Sequence, residues 1–333
     1  MRRALVSLAF GSLLSIGASA HHGSFEYDMD TVRRYEGVIV EHLWRNPHNL
    51  IVLETESETG EPLRLEIEGN GPSGLRPVGV SGREISVGER VTAIVSPNRR
   101  FPNQAFGHEI IKQDGRIVPL SAGSAYARAR QSDTSASTIF GTWATPLQEF
   151  RRIFSLRKSY VLTDKGRGAA DTYALATAPQ AQCVAPAAPW LMLQPVVHEV
   201  KKLADRVTIR TDWLGGVERT IYMDGRDHPP EDRRFPQGHS VGRWEGDVLV
   251  VETTNFTAQV YASMPSSESK HLSERWAVSE SGKGLEYSFV LEDPEYLAQP
   301  LSGTFQWDFR PDLEISGAEC DPELAARYLQ ELP

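Results

Sequence analysis

The chain has 333 residues, and its charged side chains give it a formal net charge of −9 at pH 7. A protein this acidic is a poor candidate for binding nucleic acid or anionic lipid, because its own negative charge opposes an approach to phosphate groups. The length is sufficient for two ordinary domains, each with a hydrophobic core of its own.

The first twenty residues have the pattern of a secretory signal peptide. A basic tip, Met1 to Arg3, leads into an apolar run from Ala4 to Ile16 and then into small residues that end at Ala20. This run is too short to remain in a bilayer, so we expect cleavage after Ala20 and a protein in the periplasm or outside the cell. Cleavage leaves about 313 residues, a net charge of −11 and His21 as the first residue. We expect no transmembrane segment in this mature chain.

Residues 21–119 alternate between short strands and turn signals. The expected strands are 34–44, 50–55, 63–67, one within 85–95, and 110–118, and a helical turn is expected at 73–76. Five short strands with one helical turn after the third predict a small closed β-barrel of the OB type. Many such barrels bind oligonucleotides, but a fold does not determine a function, and the negative charge argues against nucleic acid.

Residues 120–138 are small and polar without an apolar period, which is typical of a linker. The remainder, 139–333, contains longer expected strands at 207–213, 217–223, 247–255, 272–278, 285–291 and 304–309. Helices are expected at 146–155, 197–203 and 322–332. The whole pattern predicts an all-β fold, in which the OB-like barrel is followed by a larger antiparallel, lipocalin-like β-barrel with an apolar interior.

The chain has two cysteines, Cys183 and Cys320. In an oxidising compartment such a pair more often forms a disulfide than a reactive site. We therefore predict a bond between them, which would connect the start of the second domain to its end.

The mature amino terminus is a candidate metal site. His21 could bind copper through its amino group and its ring nitrogen, and a second imidazole would complete a site that suits Cu(II). His48 is the candidate third ligand, with His22 and His108 as competitors for that place. Copper is therefore the candidate cofactor, and His21, His22 and His48 are its candidate ligands. The alternative is a terminus whose histidines simply point into water.

A second group of chemistry-bearing residues lies beside predicted turns of the second domain. It comprises Asp224, Arg226, His228, His239, Arg243, His271 and Glu274. All of these except Arg226 are candidate catalytic residues, because an imidazole beside a carboxylate supplies acid–base chemistry at neutral pH. The arginines could hold a carboxylate or an enolate-like anion by paired hydrogen bonds. The same residues also suit hairpin turns and surface ion pairs, and the spacing of the histidines matches no short zinc pattern.

Most of the tryptophans belong to the second domain, namely Trp143, Trp190, Trp213, Trp244, Trp276 and Trp307. Core packing explains most of them, and a barrel with so many rings could also enclose a small apolar or aromatic ligand. The first hypothesis is an enzyme in which His239, with Asp224 or Glu274, moves a proton on that ligand in an isomerisation, cyclisation, elimination or hydrolysis. The second is a periplasmic binding protein that holds copper at His21 or carries a hydrophobic ligand without chemistry. Neither hypothesis specifies an oligomeric state.

Two stretches of the chain resemble exported bacterial proteins of unknown function. His21-His22-Gly23-Ser24-Phe25 and Trp44-Arg45-Asn46-Pro47-His48 are similar to the His-His-Ser-Phe opening and the later Trp-x-Asn-Pro-His of one family, over residues 21–120. Gly23 adds one residue inside the opening motif. The second half resembles another uncharacterised exported set through residues 222–229, 238–247 and 271–275. The resemblance implies a division into two domains and no particular activity.

Overall fold

The computed structural model describes residues 26–126, 133–174, 178–261 and 264–327. Within these ranges the chain forms two closed β-barrels, so the predicted all-β class with a small barrel and a larger one is confirmed. The predicted signal peptide, His21 and His22 lie outside the described residues. In the described part of the chain, no helix has both the length and the apolar composition needed to cross a bilayer.

The first barrel contains five strands that close on themselves. They are β1 (Arg33–Leu43), β2 (His48–Glu56), β3 (Pro62–Asn70), β4 (Arg90–Pro97) and β5 (Gln104–Lys112), and a short strand, β6 (Ile117–Pro119), pairs with β5. The order is β3-β2-β1-β4-β5, and a parallel pairing of β3 with β5 completes the circle. Helix α1 (Pro72–Leu75) follows β3, where the sequence predicted a helical turn.

Alternation along the strands produces the core of the first barrel. In β4, Val91, Ala93 and Val95 are at most 3% exposed, while the residues between them are more exposed. Successive side chains of a strand point to opposite faces, so this period of two turns one face of β4 inward. The same reasoning from the sequence predicted a strand within 85–95, and β4 begins there at Arg90.

The second barrel contains nine strands. In chain order the remaining strands are β7 (Gly141–Ala144), β8 (Val197–Lys202), β9 (Arg206–Thr211), β10 (Val217–Tyr222), β11 (His239–Glu245), β12 (Val248–Thr254), β13 (Gln259–Tyr261), β14 (Met264–Ser266), β15 (His271–Val278), β16 (Gly284–Glu292) and β17 (Leu301–Phe309). The barrel has the order β10-β11-β12-β15-β16-β17-β7-β8-β9, and β13 and β14 form a separate hairpin. The other helices are α2 (Ala122–Tyr126), α3 (Leu147–Lys158), α4 (Asp164–Ala170) and α5 (Pro322–Arg327).

The structure corrects some sequence-based details of the second barrel. The helix predicted at 197–203 is wrong, because these residues form β8, which pairs with β7 on one side and β9 on the other. Pairing with these two strands outweighs the local sequence pattern that favoured a helix. All neighbouring strands run antiparallel except β10 and β11, which run parallel because a long connection separates them. Nine strands with one parallel pair differ from the eight-stranded up-and-down barrel of lipocalins.

Side chains fill the interior of the second barrel. Trp143, Trp276 and Trp307 are at most 1% exposed. The ring of Trp276 lies 4.1 Å from that of Tyr287 and 4.9 Å from that of Trp307, measured between ring centroids. The imidazole of His198 stacks on Trp307 with its centroid 3.8 Å away. These are the spacings of packed aromatic rings, so Trp276 and Trp307 pack on their neighbours inside the barrel, whereas Trp244 is 41% exposed.

The C-terminal segment connects the two barrels. The backbone N–H of Asn46 in the first barrel donates to the carbonyl of Glu319 at 3.0 Å, and its side-chain Nδ2 donates to the carbonyl of Ala318 at 3.0 Å. The next residue, Cys320, forms a disulfide with Cys183, and their Cα atoms are 5.9 Å apart. The predicted disulfide is confirmed. It holds the segment that contacts the first barrel.

Candidate functional site

A groove of about 440 Å³ lies on the outer face of the second barrel, across β11, β12, β15, β16 and β17. Strand register places its outward-pointing residues in two rows. The first row contains Val241, Glu252, Ser273, Val290 and Ser302, and the second contains Arg243, Val250, Arg275, Ser288 and Thr304. All of them except Val241 line the groove. The groove is therefore a product of the antiparallel register.

The lining of the groove is polar and apolar in nearly equal parts. Its outward-pointing side chains include two arginines, the carboxylate of Glu252 and four hydroxyl groups, with Val250 and Val290 between them. Arg243 donates to one carboxylate oxygen of Glu245 at 2.8 Å, and Arg275 donates to the other at 2.8 Å. One carboxylate between two guanidinium groups leaves an excess positive charge at this end of the groove. The arginines and hydroxyl groups therefore offer partners for a polar or anionic group of a ligand.

Three predicted histidines lie beside the groove. His239 begins β11 and His271 begins β15. Each lies two positions before a residue of the first row, namely Val241 on β11 and Ser273 on β15. His228, from the connection between β10 and β11, brings its Nδ1 to 3.0 Å from Nδ1 of His239. Two ring nitrogens approach this closely when one donates its proton and the other accepts it. The pair can therefore pass a proton between two rings.

Glu252 joins the histidines to the groove. Its Oε2 lies 2.9 Å from Nε2 of His271 and accepts a hydrogen bond from Oγ of Ser273 at 2.7 Å. The Glu252 charge also acts on His228, where it favours the protonated ring. Sequence reasoning missed this residue, although the alternation of β12 contained the signal: Val251 and Thr253 are buried, so the residue between them points outward.

An aromatic stack supports His239. The rings of His239 and Tyr222 stack with centroids 5.1 Å apart, and the guanidinium of Arg226 lies 3.8 Å from the centroid of the Tyr222 ring. Asp224 accepts a hydrogen bond from Nε of Arg226 at 2.9 Å, and this contact lowers the pKa of Asp224 to about 2. Asp224 therefore stays ionised and holds Arg226, and its negative charge favours the protonated ring of His239.

Both rings of the pair have pKa values below the usual value for histidine. Partial burial is the main cause for His228, and the positive charge of His271 adds to it. Partial burial is also the main cause for His239, and the charge of His228 adds to it. Each cause disfavours the charged ring. The neutral pair can therefore accept a proton near pH 7, which is the requirement for a general base.

Glu274 does not join this group. It lies between Ser273 and Arg275 on β15, so its side chain points to the opposite face, into the barrel. There it forms an ion pair with Arg219, in which the two side chains are 0% and 1% exposed. The hydroxyl of Tyr287 donates to Oε1 of Glu274 at 2.9 Å. The structure thus brings His228 and His239 together, links His271 through Glu252, and separates Glu274 from all three.

The candidate metal ligands are divided between described and undescribed residues. His21 and His22 lie outside the described ranges. His48 begins β2, and its Nδ1 lies 2.6 Å from Oε1 of Glu68. The competing ligand His108 has its Nε2 2.9 Å from Oγ of Ser96. Among residues 26–126, 133–174, 178–261 and 264–327, no group of three or more histidines, cysteines or acids is arranged to hold a metal ion.

Comparison with known proteins finds a family model that matches part of the chain. Residues 11–105 match a family of unknown function, DUF6152, and this range ends within β5 of the first barrel. No curated protein matches the sequence. A solved structure of a mutant of the fluorescent protein UnaG is similar at 14% identity and a TM-score of 0.21, over 34% of this chain and 70% of that one. This TM-score is too low to inform the fold or the site.

Proposed function

We propose that the second barrel binds a small polar molecule in its outer groove and transfers a proton on it through His228 and His239. The observation that carries the proposal is the 3.0 Å contact between the two imidazoles, beside a groove that contains Glu252. A neutral imidazole pair with a lowered pKa accepts a proton at one ring and can deliver one from the other. Isomerisation, elimination and hydrolysis all need such a step.

The groove favours a ligand with an anionic or hydroxyl-bearing group. Arg243 and Arg275 offer guanidinium donors, and Ser288 and Thr304 offer hydroxyl groups on the neighbouring strands. The proposal places the ligand in this groove and not inside the barrel, where the rings of Trp276 and Trp307 pack against each other. Export is part of the proposal, because residues 1–20 have the pattern of a signal peptide and a disulfide suits an oxidising compartment.

Replacing His239 should abolish most turnover while the fold remains. We expect His239→Gln to convert a groove ligand about 10²–10⁴-fold more slowly, the usual contribution of a general acid or base. Its free energy of unfolding should fall by no more than about 1–2 kcal/mol, because the ring is only partly buried and its replacement disturbs one hydrogen bond, to His228. The ligand would first be identified by incubating the protein with a small-molecule cell extract and analysing the retained molecules by mass spectrometry.

Two further variants test this prediction. His108→Gln removes a histidine of the first barrel and should leave turnover unchanged. Arg243→Ala should reduce retention of the ligand, because it removes a donor from the groove. A His239→Gln protein with the wild-type rate, or equal retention by the Arg243→Ala protein, would contradict the proposal.

The histidine pair should titrate on the acid side of ordinary histidine. The folded pKa values of His228 and His239 are lowered, so both rings are neutral in the folded protein at pH 7 and become protonated only below about pH 6.5. The unfolded chain takes up these protons at higher pH, so their contribution to stability is present at neutral pH and is lost as pH falls. Turnover should fall over the same acid range.

Nuclear magnetic resonance titration of the ring nitrogens measures these values directly. In His228→Gln the midpoint of His239 should rise, because the charge of His228 is one of the causes that lower it. His42→Gln, in the first barrel, serves as the control and should leave that midpoint unchanged. A His239 midpoint that is the same with and without His228 would show that the rings do not interact.

A further inference from the structure

The loop that carries His228 has no regular secondary structure of its own. Residues 223–238, all of which the structure describes, connect β10 to β11 without a helix or a strand. Pro229 and Pro230 follow His228 directly, and a proline has no backbone N–H group to donate. The residue before a proline is restricted to an extended backbone. The position of the His228 ring therefore depends on what holds the two prolines.

Asn255 holds these prolines in place. It follows β12 and is 4% exposed. Its Nδ2 donates to the carbonyls of Pro230 and Arg233 at 3.0 Å and lies 3.3 Å from the carbonyl of Pro229. Its Oδ1 accepts a hydrogen bond from the hydroxyl of Thr254 at 2.7 Å. Carbonyl oxygens only accept hydrogen bonds, so the amide must face the loop with its NH₂ group.

The backbone at position 255 explains why an asparagine suits this place. Its φ is +57°, in the left-handed region that Asn and Gly adopt more readily than other residues. A glycine there leaves the loop carbonyls without a donor, and an ionised aspartate has no donor either. The main chain contributes as well, because the carbonyl of Asn255 accepts a hydrogen bond from the N–H of Phe235 at 2.9 Å.

Other side chains hold the opposite end of the loop. Nη1 of Arg234 donates to the carbonyl of Glu268 at 2.9 Å, and Nε2 of Gln237 donates to the carbonyl of Pro186 at 3.0 Å. These two contacts lie at the end that leads into β11. The end that leads from His228 into the prolines is held by the Asn255 amide, so its loss should release that end first.

The end of β12 also determines where His239 lies. Strands β11 and β12 are antiparallel, and their register places His239 opposite Thr254. Asn255 is the next residue, so the loop that carries His228 is held directly beside the residue that pairs with His239. The two histidines come from separate elements, and the end of β12 is the support that they share. Their Nδ1 atoms are 3.0 Å apart.

We propose that Asn255 is a positioning residue, which holds His228 against His239 before a ligand binds. A loop that is already held does not have to be ordered when the ligand arrives, so both rings are in place for proton transfer. The expected effect on turnover rests on the function proposed above for the pair, whereas the placement of the rings does not. Among the described residues, those that line the groove do not include Asn255. Its replacement should therefore leave the ligand contacts intact.

The test compares Asn255→Gly with the wild type by nuclear magnetic resonance titration of the ring nitrogens. Glycine keeps the left-handed backbone and removes the amide. Partial burial is the main cause of the lowered pKa of His239, and the charges of His228 and Arg233 add to it. Release of the loop weakens all three causes, so the midpoint of His239 should rise at least as far as it does in His228→Gln. Adding His228→Gln to Asn255→Gly should then produce no further rise.

Leu214→Gly is the matched control for the backbone. Leu214 also has a positive φ, +47°, and lies in the turn between β9 and β10. Its replacement by glycine should leave the His239 midpoint unchanged, because the loop stays held. Circular dichroism melting curves identify any variant that fails to fold. Should Asn255→Gly fail, Thr254→Val takes its place, since it removes only the hydroxyl that orients the amide, and it should give a smaller rise.

Kinetics distinguish this inference from the proposed function. In Asn255→Gly we expect kcat for the groove ligand to fall about 10–100-fold, the effect of displacing a reacting group by about 1 Å, while retention of the ligand stays at the wild-type level. A raised His239 midpoint with the wild-type rate would support the positioning role and contradict the catalytic role of the pair. An unchanged midpoint in the folded variant, or a full further rise when His228→Gln is added, would overturn the positioning role.

Discussion

Replacing Glu274 by alanine is expected to lower the free energy of unfolding by about 3–5 kcal/mol, the usual cost of removing one partner of a buried ion pair. Arg219 and Glu274 are 1% and 0% exposed inside the second barrel. Arg219 also donates to the hydroxyl oxygens of Ser240, at 3.1 Å, and Thr253, at 2.8 Å. These hydroxyls cannot neutralise a guanidinium, so the variant keeps an uncompensated charge in an apolar core.

Chemical denaturation followed by tryptophan fluorescence measures this loss. The matched control is Glu286→Ala, because Glu286 lies on the adjacent strand β16 and is exposed. It should change stability by less than about 0.5 kcal/mol. The double variant Arg219→Met/Glu274→Leu removes both charges and should recover most of the loss, since a hydrophobic replacement of a whole buried pair is often neutral or stabilising. A Glu274→Ala protein as stable as the control would mean that water or another group compensates Arg219.

Loss of the disulfide should have an effect of similar size. The bond between Cys183 and Cys320 closes a loop with a sequence separation of 137 residues. Restricting so long a loop in the unfolded chain stabilises the native state by about 5 kcal/mol in the chain-entropy treatment, and measured losses are about 2–5 kcal/mol. The double variant Cys183→Ala/Cys320→Ala should therefore unfold at a clearly lower denaturant concentration than the wild type.

The disulfide also has a local effect that can be measured separately. Cys320 follows the residues that accept hydrogen bonds from Asn46 of the first barrel. Hydrogen exchange at the amide of Asn46 should accelerate in the double variant, while exchange in the centre of β4 should not. Wild-type protein treated with a reductant should behave like the variant. Identical melting curves with and without reductant would contradict both expectations.

Much of the fold could be predicted because apolar and polar residues alternate along a strand, and this alternation indicates which face of the strand is buried. In β9, Val207 and Ile209 are both 1% exposed, and both were expected to point inward. β8 was harder to predict, because it is short and a local stretch of sequence does not show its pairing with β7 and β9. β11 carries Gly242 and polar residues, which are turn signals in isolation and became a strand only through pairing with β12.

The candidate site was predicted less completely than the fold. Proximity of His228 to His239 followed from their positions at neighbouring turns, and the structure places their Nδ1 atoms 3.0 Å apart. Glu274 was grouped with them because it is close to His271 in sequence. Residues three positions apart on a strand point to opposite faces, however, and Glu274 lies on the inner one. Glu252 was passed over because an acid within an apolar strand resembles an ordinary surface residue.

The segment that contacts the first barrel, residues 318–320, is among the last parts of the protein to be synthesised. The side chain of Asn46 and the carbonyl of Ala318 are separated by 272 positions. At about 5–20 residues per second, the ribosome needs on the order of 10–50 s to proceed from one to the other. The last strand of the first barrel, β6, ends at Pro119. For most of that interval, therefore, the nascent first barrel has all of its own strands but lacks the hydrogen bonds to residues 318 and 319. Chaperones or proteases that act on the growing chain therefore meet this barrel as a free-standing unit.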